Sequence, residues 1–142
     1  MKKQRKWYPI SEIFTIGKQI NDLLEDTENQ QKIFSKVKAS PSSMNNELIQ
    51  RAANLFTKRK GAINLYADQV NKWENEAMTS SDEEKVTRLQ NILTNIEKNN
   101  QGTLSIVKYI SQYTIEKILS MDETELAVKT MSGEIPLPKN IR

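Results

Sequence analysis

The sequence predicts an all-α fold, an antiparallel bundle of four main helices with one or two short ones, and three observations support this. Apolar residues recur every three or four positions along most of the chain, which is the period of one helix face. Four glycines and four prolines among 142 residues are too few for the many turns of an all-β protein. The most apolar segment, 104–121, shows no clean alternation of a strand.

The length fits one domain, which we place at residues 9–133, between a flexible basic arm (1–8) and an extended C-terminal tail (134–142). Pro9 and Ser11 are typical of a helix start, and an apolar stripe follows through Asp26. The polar stretch 25–31 is either a loop or an exposed turn. A short apolar cluster at 33–37 predicts a further helical piece.

The strongest prediction is a long central helix over about 44–78, which follows a chain break at 39–43. Pro41 and the neighbouring serines favour that break. Gly61, near the middle of the long segment, allows a kink or a short break, so one helix and two helices both stay open. Residues in steps of four and three would share its buried face: Leu48, Ala52, Leu55, Arg59, Ala62, Tyr66, Gln69 or Val70, Trp73 and Ala77.

The next helix is expected to begin at a capping box made by Ser81 and Glu84. Its narrow apolar seam runs to Ile96, and the polar residues 99–102 predict a turn. Beyond the turn, apolar residues nearly surround the axis of the segment 104–121. We therefore expect that segment to be the most buried helix.

The last predicted helix is short and begins where Asp122 precedes Glu125 by three residues. Gly133 is typical of the position just beyond a helix end. Pro136 and Pro138 predict that the tail behind it is extended.

The chain contains no histidine and no cysteine, which excludes several classes of enzyme and metal site. A Ser-His-Asp triad, a thiolate nucleophile and zinc sites of the usual ligands all need one of these residues. The acidic clusters at 25–28, 74–76 and 82–84 lack the spacing of a calcium loop and are interpreted as caps or solvated faces. We expect no enzyme, no cofactor and no metal. A carboxylate-dependent enzyme is kept as the last alternative.

The net charge of +3 conceals a net acidic bundle with two basic spots, the N-terminal arm and Lys58 to Lys60. The longest apolar-rich stretch, 104–119, is interrupted by charged residues, so no membrane span is expected. These features are typical of a soluble, cytoplasmic protein.

We expect a non-enzymatic protein-interaction module, such as a small regulator, adaptor or inhibitor, that binds a partner protein or a second copy of itself. If the long helix overhangs the bundle, its aromatic residues form a partner face; otherwise they belong to the core. The apolar residues of the tail either dock on a partner or pack on their own bundle. The candidate interaction residues are Tyr66, Trp73, Met78, Ile135 and Leu137.

Nucleic-acid association is the alternative function. Basic residues can neutralise phosphates while an aromatic ring stacks on a base. Convergence of the two basic spots would favour binding to nucleic acid or to an acidic protein. Otherwise the arm is a solubilising terminus whose Trp7 and Tyr8 fold back on the core. The candidate residues are Lys2, Lys3, Arg5, Lys6, Trp7, Lys58, Arg59 and Lys60.

Overall fold

The computed structural model describes residues 7–77 and 79–133, and this part of the chain contains helices and no strand. Two short 3-10 turns, Ile10–Glu12 and Pro41–Ser43, accompany the helices. The predicted all-α helical bundle is confirmed. Its helices are α1 (Ile13–Val37), α2 (Asn46–Glu76), α3 (Ser80–Ser111), α4 (Ile115–Leu119) and α5 (Glu123–Met131).

The central helix is α3, which packs against both α1 and α2. Near the start of α1, a Cβ atom added to Gly17 would lie 3.5 Å from Leu89, near the start of α3. The Tyr66 hydroxyl, towards the end of α2, lies 3.1 Å from Gln19 Oε1 on the first half of α1. The three long helices therefore run up, down and up, as short connections between neighbouring helices favour.

The turn predicted at 99–102 is wrong, because these polar residues lie inside α3. Asn100 Nδ2 donates to the Phe56 carbonyl oxygen at 3.0 Å, and Asn99 Nδ2 donates to Thr27 Oγ1 at 3.4 Å. Acceptors on the neighbouring helices bond the side-chain amide nitrogens, which would otherwise compete for backbone groups and favour a turn. With buried Thr103, these residues form a polar layer across the bundle.

The polar layer separates two apolar clusters. The first cluster lies around Trp73 and joins α1, α2 and α3; the second lies around Phe56 and joins α2 and α3, with Phe34 of α1 packed against it. The buried residues of the first cluster are Ile13, Ile16, Ile20, Ile63, Val70, Trp73, Val86, Leu89, Leu93 and Ile96. Those of the second are Ile49, Phe56, Val107 and Ile110.

The helix predicted at 104–121 is divided in the structure, and the expectation that it is the most buried helix is wrong for its second part, because α4 has no buried residue. Helix α3 ends at Ser111, and α4 begins after a turn at the fully buried Thr114. The Ile115 amide donates to the Met44 carbonyl oxygen at 3.0 Å, and α4 packs against the 3-10 turn that joins α1 to α2. Tertiary contacts at this end of the bundle decide the break.

Local helix signals are mostly confirmed. The chain breaks at 39–43 as predicted, while residues 25–31 are helical and α2 continues through Gly61 as one helix. Asp122 Oδ1 accepts from the Glu125 amide at 2.7 Å, and Gly133 has a φ of +81° behind α5. The capping box at Ser81 is wrong: Thr79 caps α3, since its Oγ1 accepts from the Asp82 amide at 3.1 Å.

The buried face of α2 differs from the predicted one over its first half. Leu48 and Leu55 are 47% and 48% exposed, whereas the residue after each, Ile49 and Phe56, is buried. The same shift by one residue separates exposed Ala62 from buried Ile63. Residues 48, 55 and 62 form one row on α2, and residues 49, 56 and 63 form a neighbouring row with the same seven-residue spacing. Only contact with α3 decides which of the two rows is buried.

No helix in 7–77 or 79–133 is long and apolar enough to cross a membrane.

Candidate functional site

Residues from the predicted buried face of α2, among them Leu55, Ala62 and Tyr66, border a groove between α1 and α2. No residue of α3 lines this groove. It consists of two adjoining hollows of about 490 and 540 Å³, which share Gln19, Ala62 and Tyr66. We call it the α1–α2 groove. Since α3 occupies the opposite side of both helices, the groove has the position that a fourth helix would take in a bundle.

The α2 wall of the α1–α2 groove is largely apolar. Leu55 and Leu65 are 48% and 51% exposed there, and Ala62 lies between them. Leu48 extends this row by one further heptad towards the start of α2. Leu23 contributes a partly buried apolar side chain from the α1 wall. A contiguous exposed apolar row of this kind is typical of an interaction surface.

The two walls carry opposite charges. Asp22 and Asp26 lie on α1, and Lys58 and Arg59 lie on α2. The Arg59 guanidinium donates to Gln30 Oε1 of α1 and lies over the Phe56 ring, 5.6 Å from its centre. In the described ranges neither aspartate forms a salt bridge. Carboxylates and cations thus face the groove from opposite sides.

Tyr8 attaches the end of the N-terminal arm to α2 and closes one end of the groove. Gln69 accepts from the Tyr8 amide at 2.8 Å, and its own amide nitrogen donates to the Tyr8 carbonyl oxygen at 3.1 Å. Trp73 Nε1 donates to the same carbonyl oxygen at 2.8 Å. Trp7 lies beneath Lys72, whose Nζ is 5.3 Å from the ring centre. Trp7 and Tyr8 therefore fold back on the bundle.

The structure separates the predicted interaction residues. Tyr66 lines the α1–α2 groove and is partly buried. Trp73 is fully buried, so it belongs to the core and not to a partner face. The remaining three candidates, Met78, Ile135 and Leu137, lie outside the described residues.

The predicted basic residues are also divided. Lys58 and Arg59 share the groove with two aspartates, and Lys60 is exposed beside them. Lys72, which contacts Trp7, lies twelve positions beyond Lys60, or about 18 Å along a straight helix. Trp7 and Tyr8, the described residues of the arm, line one hollow of the groove, and Lys58 and Arg59 line the other. The others, Lys2, Lys3, Arg5 and Lys6, lie outside the described residues.

Carboxylates are dispersed over the described surface. Across 7–77 and 79–133 no group of three Asp or Glu side chains could hold a metal ion. Burial raises the pKa of the Tyr109 phenol above its ordinary value, and nearby Tyr113 adds to this effect. Tyr109 therefore stays neutral at physiological pH, and it lies near the end of α3, outside the groove.

The sequence pattern predicts Tyr66, Lys58 and Arg59 as binding residues but does not predict the apolar wall of the groove. It predicts Leu55 and Ala62 as core residues and gives no role to Leu65. The available signal was the presence of two parallel apolar rows on α2, at 49, 56 and 63 and at 48, 55 and 62. A helix with one partner needs one such row.

Neither a family model, nor a curated protein, nor a solved structure matches this chain.

Proposed function

We propose that this chain is a non-enzymatic protein-interaction module that pairs with a second copy of itself through the α1–α2 groove. The observation that carries the proposal is the exposed row Leu48, Leu55 and Ala62 beside an already complete buried row. Apolar residues at every seventh position lie on one side of a helix, where a second helix can cover them. Pairing would remove this row from water.

The charges of the groove favour a second copy as the occupant. In a symmetric dimer the same surface is used twice, so the α1 wall of one copy can meet the α2 wall of the other. Asp22 and Asp26 would then face Lys58 and Arg59 of the second copy. A surface with both signs on opposite walls is complementary to itself, whereas a surface of one sign repels its own copy.

Light scattering after size-exclusion chromatography tests the dimer. We expect a dimer for the unchanged protein and a monomer for Leu55→Glu, because the new carboxylate would be buried in the apolar seam without a partner. Val128→Glu is the matched control, since Val128 is 62% exposed on α5, outside the groove. This variant should stay dimeric. Circular dichroism checks that both variants remain helical.

A charge exchange tests the orientation of the dimer. Asp26→Lys should weaken the dimer, and adding Lys58→Glu should restore it, because the exchange reverses both walls together. A monomeric wild-type protein, or a Leu55→Glu protein that remains a dimer, would overturn the proposal. Restoration by an unrelated change, Lys98→Glu on α3, would contradict the paired walls.

A further inference from the structure

Another hollow, of about 640 Å³, lies between the first parts of α1 and α3, in addition to the two hollows of the α1–α2 groove. Its lining includes apolar side chains from both helices, Ile13 of α1 and Leu89 of α3. Gly17 faces Leu89 without a side chain, and an added Cβ would lie 3.5 Å from the leucine. The absence of a side chain at Gly17 therefore lets α1 approach Leu89 closely at this edge of the hollow. We call this hollow the α1–α3 hollow.

Phe14 stands at the α1–α3 hollow with 81% of its surface exposed, more than any other aromatic side chain in the described ranges. Within the described ranges, Lys85 is the one cation over this ring, and its Nζ lies 5.9 Å from the ring centre. A phenylalanine has no polar atom that water can hydrogen-bond, so this exposure costs free energy in the isolated chain. Burial against a partner would recover it.

The charge around the hollow is predominantly positive. Lys18, Lys85 and Arg88 line it, and Asp22 is the one carboxylate that lines it among the residues the structure describes. Among the described residues these three cations form no ion pair with a carboxylate. Two copies of this surface would bring an excess of positive charge together, whereas in the α1–α2 groove Asp22 and Asp26 balance Lys58 and Arg59.

We propose that the α1–α3 hollow binds an acidic amphipathic segment of a partner protein. A bulky apolar side chain of that segment would occupy the space above Leu89 and cover Phe14. Its carboxylates would pair with Lys18, Lys85 and Arg88. Apolar anchors on one face and acidic residues beside them are the chemistry that this combination of surface and charge complements.

The apolar floor distinguishes this partner from a nucleic acid. A base could stack on Phe14 and phosphates could contact the cations. However, Ile13 and Leu89 carry no hydrogen-bonding group, although Thr15, Gln19 and Asn21 also line the hollow. A sugar or a phosphate over these two apolar side chains would lose water without gaining a partner, whereas an aliphatic side chain would pack against them. The inference rests on the proposed function only in assigning a binding role to the chain, and it does not require the dimer.

Selection from a random peptide library displayed on phage, against the immobilised full chain, identifies the preferred segment. We expect selected peptides to be rich in Asp and Glu, with large apolar residues three or four positions apart. Phe14→Ala should raise the Kd of a selected synthetic peptide about tenfold or more, as loss of an aromatic anchor does. Peptides without acidic enrichment, or no selected peptide at all, would overturn the proposal.

Lys85→Glu should also weaken the peptide complex, and high salt should weaken the wild-type complex. The matched control is Lys98→Glu, an exposed lysine on α3 that does not line the hollow. An equal Kd for wild type and Phe14→Ala would overturn the proposal. A fluorescent thymidine oligonucleotide is measured in parallel, and binding of it that depends on Phe14 would assign the hollow to nucleic acid instead.

The proposed dimer and the proposed peptide site can be tested independently of each other. The Phe14→Ala protein should keep the dimer, because Phe14 does not line the α1–α2 groove. The Leu55→Glu monomer should keep the Kd for the selected peptide. Loss of peptide binding in that monomer would contradict an independent hollow, whereas a monomeric wild type that binds the peptide would overturn the dimer alone.

Discussion

At the scale of single residues, Asn100 shows how a partner in space overrides a local preference. Asparagine disfavours helix interiors because its side chain competes for backbone groups. In α3 that side chain donates to the Phe56 carbonyl oxygen of α2, and Asn100 Oδ1 is a buried atom without a partner among the described residues. A polar group of this kind contributes little net stability, but it penalises any shift of α3 against α2.

Asn100→Asp tests the direction of this hydrogen bond. A carboxylate would face the Phe56 carbonyl oxygen without a donor, so we expect the free energy of unfolding at pH 7 to fall by about 3 kcal/mol or more. The protonated acid can donate. The folded variant therefore binds its proton more tightly than the unfolded chain, and stability falls as pH rises above about 4. Urea unfolding at pH 4 and pH 7 measures the difference.

Asn99→Asp is the control for this substitution, because Asn99 is only partly buried. Its loss of stability should be smaller and should depend less on pH. An equal loss for Asn100→Asp at pH 4 and pH 7 would mean that Asn100 acts through its shape and not through its donor.

At the scale of the element, α2 combines a buried row with an exposed row one residue away. Ile49, Phe56 and Ile63 pack towards α3, and this continuous contact keeps α2 helical through Gly61. Leu48 and Leu55 remain exposed on the same helix. One element therefore supports the core and the proposed dimer surface together.

Gly61→Ala tests whether α2 needs flexibility at its middle. A Cβ atom at Gly61 meets nothing within 4 Å, so the substitution should raise the free energy of unfolding by up to about 1 kcal/mol. Thermal unfolding followed by circular dichroism measures this effect. Gly102→Ala is the comparison, because its Cβ would lie 2.9 Å from Gln31 Nε2 and the glutamine must move. A smaller gain is expected there. A lower melting temperature for Gly61→Ala would indicate a required kink.

At the scale of the whole molecule, α3 connects the two apolar clusters across the polar layer. The first cluster contains Ile20 and the second contains Ile110, both fully buried. Because α2 and α3 contribute to both clusters, neither cluster can unfold while these helices stay intact. The bundle should therefore unfold as one cooperative unit.

Ile20→Ala and Ile110→Ala test this cooperativity. Each should lower the free energy of unfolding by about 2–4 kcal/mol through the lost burial and the remaining cavity. The loss should appear equally in tryptophan fluorescence and in far-ultraviolet circular dichroism during urea unfolding. Leu119→Ala, at a residue that is 75% exposed, should change stability by less than about 0.5 kcal/mol. Fluorescence that is insensitive to Ile110→Ala would show two separate units.

Local sequence features are sufficient to predict the helical class, the break at 39–43 and the ends of α5 at Asp122 and Gly133. These features depend on periodicity and on hydrogen bonds between residues a few positions apart, so they involve only residues that are close in sequence. The absence of histidine and cysteine likewise restricts the chemistry without any structure.

Only the tertiary structure decided which row of α2 is buried, whether 99–102 is helical and where α3 ends. Leu55 and Phe56 are equally suited to a core, and contact with α3 selects one of them. Asn100 becomes helical because Phe56 supplies a partner 44 residues away in sequence. The α1–α2 groove and the α1–α3 hollow also depend on tertiary structure, since the spacing between two helices forms each of them and no single segment of the sequence contains it.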